Sequence, residues 1–308
     1  LRVIVTGSAG FIGSHLANQL LESGYDVLAV DRKPSPLESK RCIDLDLTRL
    51  EETVGNLKDA DCVAHLAGIL GVDKTETDPL TTLDDNIMMA KNVLEACRTN
   101  DVRKIVFASS SEVYGDPEKL PIDEKFVPQP VSVYGVSKLA CEQYVKAYNR
   151  AYGLDYCILR YFNVYGPRQS EDFIVSRFVS LALKNEPLTI FGDGSQIRCF
   201  TYVSDIANGT RIAIQSSKAR NEIINLGDDR QPVTVNSLAE TIKELTLSRS
   251  TIRHVPLETT LRAGREIHRR IPDISKARKL LGYNPRVSLE EGLEEVISSL
   301  KNKASGSG

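Results

Sequence analysis

Two short stretches of the chain carry the residue types of acid–base chemistry. Ser109, Ser110, Ser111 and Glu112 open the run SSSEVYGD, which places three hydroxyls and a carboxylate directly after an apolar segment. Downstream lies YGVSK, with Tyr134 and Lys138 four positions apart. On a helix that spacing puts both side chains on one face, where an ammonium draws a phenol's pKa down toward a range useful for proton transfer. The Ser110 hydroxyl can hydrogen-bond the same substrate hydroxyl. Glu112 poses a separate question, namely which proton a carboxylate in that place would take.

A third stretch binds rather than reacts. TGSAGFIG places Gly7, Gly10 and Gly13 between a β-branched run and a helical pattern. Glycines there allow a tight turn and close approach of the backbone to a pyrophosphate, and the helix start offers free N–H groups to the anion. Asp31 closes the next apolar run, where a carboxylate accepts hydrogen bonds from an adenosine ribose and repels a 2′-phosphate. The sequence therefore predicts NAD as cofactor rather than NADP. Arg32 and Lys33 follow at once and are the cations that would accommodate a phosphate.

These motifs need strands and helices to hold them. LRVIVTG, DVLAVD, CVAHLAG, KIVFASS and YCILRYFNV read as strands, and SHLANQLLESG, DDNIMMAKNVLEACRTN and GVSKLACEQYVKAYNRAYG read as helices. Such alternation implies right-handed crossovers and an α/β, doubly wound parallel sheet of the Rossmann type. Because the alternation breaks down after NVYGPRQ, a smaller C-terminal α/β lobe, expected to be substrate-binding, is placed from about residue 166. The expected division is residues 1–165 for the dinucleotide-binding domain, with 204–228 returning to it, then 166–301 for the lobe and 302–308 as a disordered tail.

Composition excludes several classes. With 308 residues, 41% hydrophobic, the chain can bury a large core, and a net charge of −2 gives no footprint for nucleic acid or an anionic membrane. No apolar run is long enough to span a bilayer and no signal peptide is evident. The six cysteines are scattered without a CxxC pair, which points to reduced thiols, no metal site and a cytoplasmic location.

Taken in order, TGSAGFIGSHL, HLAG, FASSSEVYGD, YGVSKLACE, RYFNVYGPRQ, GDGSQIRCFTYVSD and RRIPDISKARKLLGYNP resemble the extended short-chain dehydrogenase/reductases of the NAD-dependent epimerase/dehydratase family, which act on nucleotide sugars. The resemblance runs over nearly the whole chain. It implies Ser110, Tyr134 and Lys138 as the catalytic trio, with Lys138 also bonding the nicotinamide ribose. It implies cofactor contacts at Gly7, Gly10, Phe11, Ile12, Gly13, Asp31, Asp46, Leu47, Leu66 and Ala67. Ser110, Ser111, Glu112, Asn163, Arg198 and Arg270 fall at positions that hold the nucleotide-diphosphate sugar, and a guanidinium suits that task because its fork meets phosphate oxygens in pairs.

In such an enzyme a 4-keto sugar is the branch point of the reaction. The ketone acidifies the neighbouring C5–H, so the expectation is a sugar-nucleotide dehydratase with Glu112 as C5 base, its Ser-Glu-Val-Tyr pattern being similar to GDP-mannose 4,6-dehydratase and to UDP-glucuronate decarboxylases. The alternatives are a 4-epimerase of the UDP-glucose or UDP-glucuronate type, then UDP-glucuronate decarboxylation, and outside enzymes a silent redox-sensing or scaffold module. ILGVDKT stands where the substrate loops of dTDP-glucose dehydratases and of the decarboxylases would be, which leaves the sugar and the nucleotide open. Family members commonly dimerise through two helices from each subunit. TTLDDNIMMAKNVLEACRTN and GVSKLACEQYVKAYNRAYG, with apolar residues on more than one face, are the candidates here.

Overall fold

The computed structural model describes residues 1–34, 42–259 and 267–305. In chain order the elements are β1 (Arg2–Thr6), α1 (Phe11–Glu22), β2 (Asp26–Asp31), β3 (Cys42–Asp44), α2 (Leu50–Asn56), β4 (Cys62–His65), α3 (Val72–Thr77), α4 (Pro79–Thr99) and β5 (Lys104–Ser110). There follow α5 (Val133–Tyr152), β6 (Asp155–Tyr161), β7 (Val164–Tyr165), α6 (Ile174–Leu183), β8 (Leu188–Phe191), β9 (Ile197–Cys199), β10 (Thr201–Tyr202), α7 (Val203–Gln215) and β11 (Glu222–Leu226). The last group is β12 (Pro232–Thr234), α8 (Val235–Thr246), β13 (Ile252–Val255), β14 (Arg269–Arg270), α9 (Ser275–Leu281) and α10 (Leu289–Ser305).

Seven strands form one sheet in the order β11-β6-β5-β4-β1-β2-β3, every pairing parallel. The chain runs from β1 outward through β2 and β3, then crosses back to β4 on the other side of β1. A crevice therefore opens at the carboxyl ends of β1 and β4, where sheets of this kind bind dinucleotides. Each face of the sheet is covered by its own apolar layer. Leu16, Leu20 and Ile206 of α1 and α7 pack on one face, and Val93, Leu94, Cys141 and Val145 of α4 and α5 on the other. Each such side chain contributes roughly 1.5–3 kcal/mol on full burial.

The rest of the chain forms small sheets, β12-β9-β14, β13-β8 and β10-β7, over a third core made by α6, α8 and α10. The tail departs from expectation. α10 continues through Ser305, so residues 302–305 are helical rather than disordered, and residues 306–308 lie outside the described residues. Cys42 is exposed and the other five cysteines are buried, all as free thiols. Among the described residues no helix is long and apolar enough to cross a membrane, and no group of His, Cys, Asp and Glu could hold a metal ion.

Candidate active site

The glycine turn is built by close packing of backbone on backbone. Gly7 adopts φ +72°, and a Cβ there would lie 2.7 Å from the Ala67 nitrogen. Gly13 has no room either, because its Cβ would meet the Gly7 carbonyl oxygen. No side chain caps α1 and no acidic residue lies in its first turn, so the amides at Phe11 and Ile12 are left for an anion. Asp31 accepts hydrogen bonds from the Ala9 and Lys33 amides, both at 3.0 Å, which aims its carboxylate beside the turn. Asp46 accepts from the Thr48 amide and hydroxyl, and those bonds hold its carboxyl below the usual range. Leu47 is buried, and Leu66 and Ala67 follow β4 with their amides bonded to the Thr6 carbonyl and hydroxyl. A cradle that side-chain carbon would fill, an uncapped helix start and a carboxylate held beside the turn all fit NAD.

The acid–base residues sit at the carboxyl end of β5 and on the first turns of α5. Ser110 ends β5 and accepts a hydrogen bond from the Glu112 amide at 3.1 Å, which caps a 3-10 turn over Ser111–Tyr114. Ser132 caps α5 by accepting from the Gly135 amide at 3.0 Å, and Gly153 closes the helix in the left-handed conformation. Tyr134 and Lys138 thus share one face of α5, with the Lys138 Nζ 5.7 Å from the Tyr134 ring centre. The Lys138 ammonium is buried and donates to the Ala108 carbonyl at 2.9 Å.

One electrostatic expectation is not met. Burial and the neighbouring Glu112 charge push the Tyr134 phenol well above its ordinary pKa, and the hydrogen bond with Ser110 opposes them. Lys138, itself shifted downward by burial, donates to the Ala108 carbonyl, and the net direction for the phenol is upward. When bound, oxidised NAD supplies a hydride acceptor and the positive charge of its nicotinamide ring.

Glu112 and Arg270 meet in a way their separation in sequence concealed. Glu112 accepts from Arg270 Nη2 at 2.9 Å with one oxygen and from the Ser132 hydroxyl at 2.7 Å with the other. Both side chains are largely buried, at 8% exposure for Arg270 and 13% for Glu112. The expected C5 base is therefore held by an arginine and a helix cap. Arg270 is placed by β14, which pairs in parallel with β9 so that Arg270 stands directly opposite Arg198. Arg270 Nε is buried without a partner, whereas Arg198 donates to the carbonyls of Ile197, Ile267 and His268. Asn163, with φ +33°, donates to the Cys199 carbonyl and so lies beside the same strand. Ser111 is buried under the 3-10 turn.

Several residues at the site were given no role from the sequence, although His65, Glu142 and Arg160 lie within motifs quoted above. His65 ends β4 and shares a 2.7 Å hydrogen bond with the Thr6 hydroxyl, joining β1 to β4 at the mouth of the crevice. Asn86 of α4 bonds both the amide and the carbonyl of Ile69 and donates to the Ser137 hydroxyl, tying α4 to the loop after β4 and to α5. Glu142 and Arg160 form a buried ion pair behind Ser109.

A dinucleotide crevice facing a serine, a tyrosine and a lysine defines a short-chain dehydrogenase/reductase that exchanges hydride and proton with a hydroxyl-bearing carbon. More narrowly, residues 3–227 match the NAD dependent epimerase/dehydratase family, and the chain belongs to it as an NAD-dependent enzyme that modifies nucleotide sugars. It is 39% identical to the putative UDP-glucose 4-epimerase of Methanocaldococcus jannaschii, over 97% of this chain and 98% of that one. It is 36% identical to the UDP-N-acetyl-alpha-D-glucosaminuronate decarboxylase of Bacillus cytotoxicus, over 96% of each. Among solved structures, the UDP-glucuronic acid 4-epimerase of Bacillus cereus in complex with UDP-glucuronic acid and NAD superposes with a TM-score of 0.91 at 34% identity, covering 98% of this chain and 100% of that one.

Proposed function

We propose that the chain is a UDP-sugar 4-epimerase working through a 4-keto intermediate. The observation that carries this reading is the division of labour in the site: Ser110, Tyr134 and Lys138 are assembled for one proton at one hydroxyl, while both Glu112 oxygens are engaged by Arg270 and Ser132. Ser110 orients the C4 hydroxyl, Tyr134 takes its proton, and Lys138 provides positive charge beneath the phenol. Once the ketone has turned over and the hydride taken by the cofactor has been returned to the opposite face of C4, Tyr134 would give its proton back to the resulting alkoxide oxygen. The nucleotide diphosphate would meet the β9-β14 ledge, where Arg198 and Arg270 stand opposite one another. Dehydration with Glu112 as a free C5 base is less well supported, because that carboxylate holds an arginine and the relatives named above are epimerases and a decarboxylase.

A second reading, decarboxylation of a UDP-hexuronate, draws on the same pair. A guanidinium already matched to a carboxylate is a group that a sugar 6-carboxylate could compete for. Incubation with UDP-glucose, UDP-N-acetylglucosamine and UDP-glucuronate, followed by mass spectrometry, separates the readings. Unchanged mass with an inverted C4 supports epimerisation, loss of carbon dioxide selects the second reading, and loss of water restores the dehydratase.

A further inference from the structure

Behind the trio lies a buried polar chain that the reaction as described does not use. Glu142 is on α5 one turn beyond Lys138 and is fully buried. One carboxylate oxygen accepts from the Ser109 hydroxyl at 2.6 Å and from Arg160 Nε at 2.9 Å, and the other accepts from Arg160 Nη2 at 2.6 Å. Arg160, on β6, is paired with Ser109 across the β5-β6 register and lies 4.7 Å from the centre of the Tyr114 ring. The Tyr114 hydroxyl donates to Asn225 Oδ1 at 2.8 Å, and Asn225 Nδ2 donates to the Ile122 and Asp273 carbonyls. Ile122 is bonded through its backbone to Ile271 and Asp273. The chain of contacts therefore runs from the strand end that carries Ser110 to the segment that carries Arg270.

Taking two full charges out of water is costly, and apolar residues of similar volume commonly hold a fold as well as a buried pair does. Stability alone is thus a poor reason for an ion pair in this place. We infer that Glu142 and Arg160 are positioning residues for the C4 chemistry, fixing Ser109 and hence the Ser110 hydroxyl against Tyr134, and tying that register to the arm bearing Arg270. The charge of Glu142 also favours the ammonium form of Lys138 against the effect of burial.

The inference rests on C4 oxidation by bound NAD, as proposed above, and its test is chosen to fail separately from that reading. The double variant Glu142→Leu/Arg160→Met removes the pair without stranding either charge, and Ser109→Ala leaves the pair and the backbone pairing of β5 with β6 in place but removes the hydroxyl that bonds Glu142. Each is compared with the unaltered chain by the calorimetric Kd for UDP, by melting temperature, and by the rate at which NADH absorbance appears on mixing with UDP-sugar. Both variants should hold UDP within about threefold while NADH formation slows by at least about tenfold, because small displacements of a proton acceptor are expensive in rate. Unchanged rates in Ser109→Ala would overturn the positioning role, and so would a double variant that folds and reacts normally. If the double variant fails to fold, Ser109→Ala decides alone. No NADH from the unaltered chain with any UDP-sugar would instead count against the C4 reading.

Discussion

In the proposed reaction Tyr134 is the acid–base group, and its surroundings would set the pH at which it works. Burial and Glu112 both favour the protonated phenol. Tyr134→Phe keeps the ring and deletes the acid–base group. Turnover should fall by roughly 10²-fold or more with little change in melting temperature. Glu112→Gln removes the negative neighbour that raises the phenol, so the rising limb of the pH–rate profile for NADH formation should move to lower pH. An unmoved limb would mean that Glu112 does not act on Tyr134 electrostatically. That Tyr134 and Lys138 share a face of α5 was legible in the sequence because a four-residue spacing encodes a helix face. The partner of Glu112 was not, because Arg270 reaches it only through the pairing of β14 with β9.

Among the elements, the ends of β1 and β4 decide how the crevice opens. The glycine turn was legible because its residue types are forced by backbone contact at Gly7 and Gly13. His65 opens the HLAG motif, but its bond to Thr6 was not legible, since that partner lies on a different strand. Its burial, with Lys138 nearby, lowers its pKa to about 3. An unfolded chain binds that proton below about pH 6.5 while the native chain refuses it until about pH 3, so stability must fall as pH drops through that window. The full effect is on the order of 5 kcal/mol. His65→Gln should flatten the melting temperature between pH 6.5 and 4 relative to the unaltered chain, and parallel curves would assign the acid sensitivity elsewhere. The Ser109–Glu142–Arg160 chain was hidden for a related reason, because its members lie on three elements and meet only once β5, β6 and α5 have packed.

For the whole molecule, the doubly wound sheet followed directly from the alternation of strand and helix patterns, whereas the small sheets of the second lobe did not. Their strands are two to four residues long, too short for a period to show. Outward on α4 and α5, Leu80 is 72% exposed and Met88 45%, with Val136 and Tyr144 also open to solvent. We propose that these faces meet in a homodimer as a four-helix bundle. Light scattering at micromolar concentration should give twice the 34.1 kDa chain mass, and Leu80→Glu/Met88→Glu should return the monomer. A monomer mass for the unaltered chain would contradict this assembly.

The central claim is that one hydroxyl, and not the neighbouring C5–H, is what the site acts on. Reaction with the UDP-sugar that gives turnover, carried out in deuterium oxide and read by proton NMR with mass spectrometry, addresses it directly. The account predicts a product of unchanged composition with C4 inverted and no deuterium at C5, since Glu112 is held by Arg270 and Ser132. Deuterium at C5, or a product lighter by water, would show Glu112 released from those partners and acting as a base, and would contradict it.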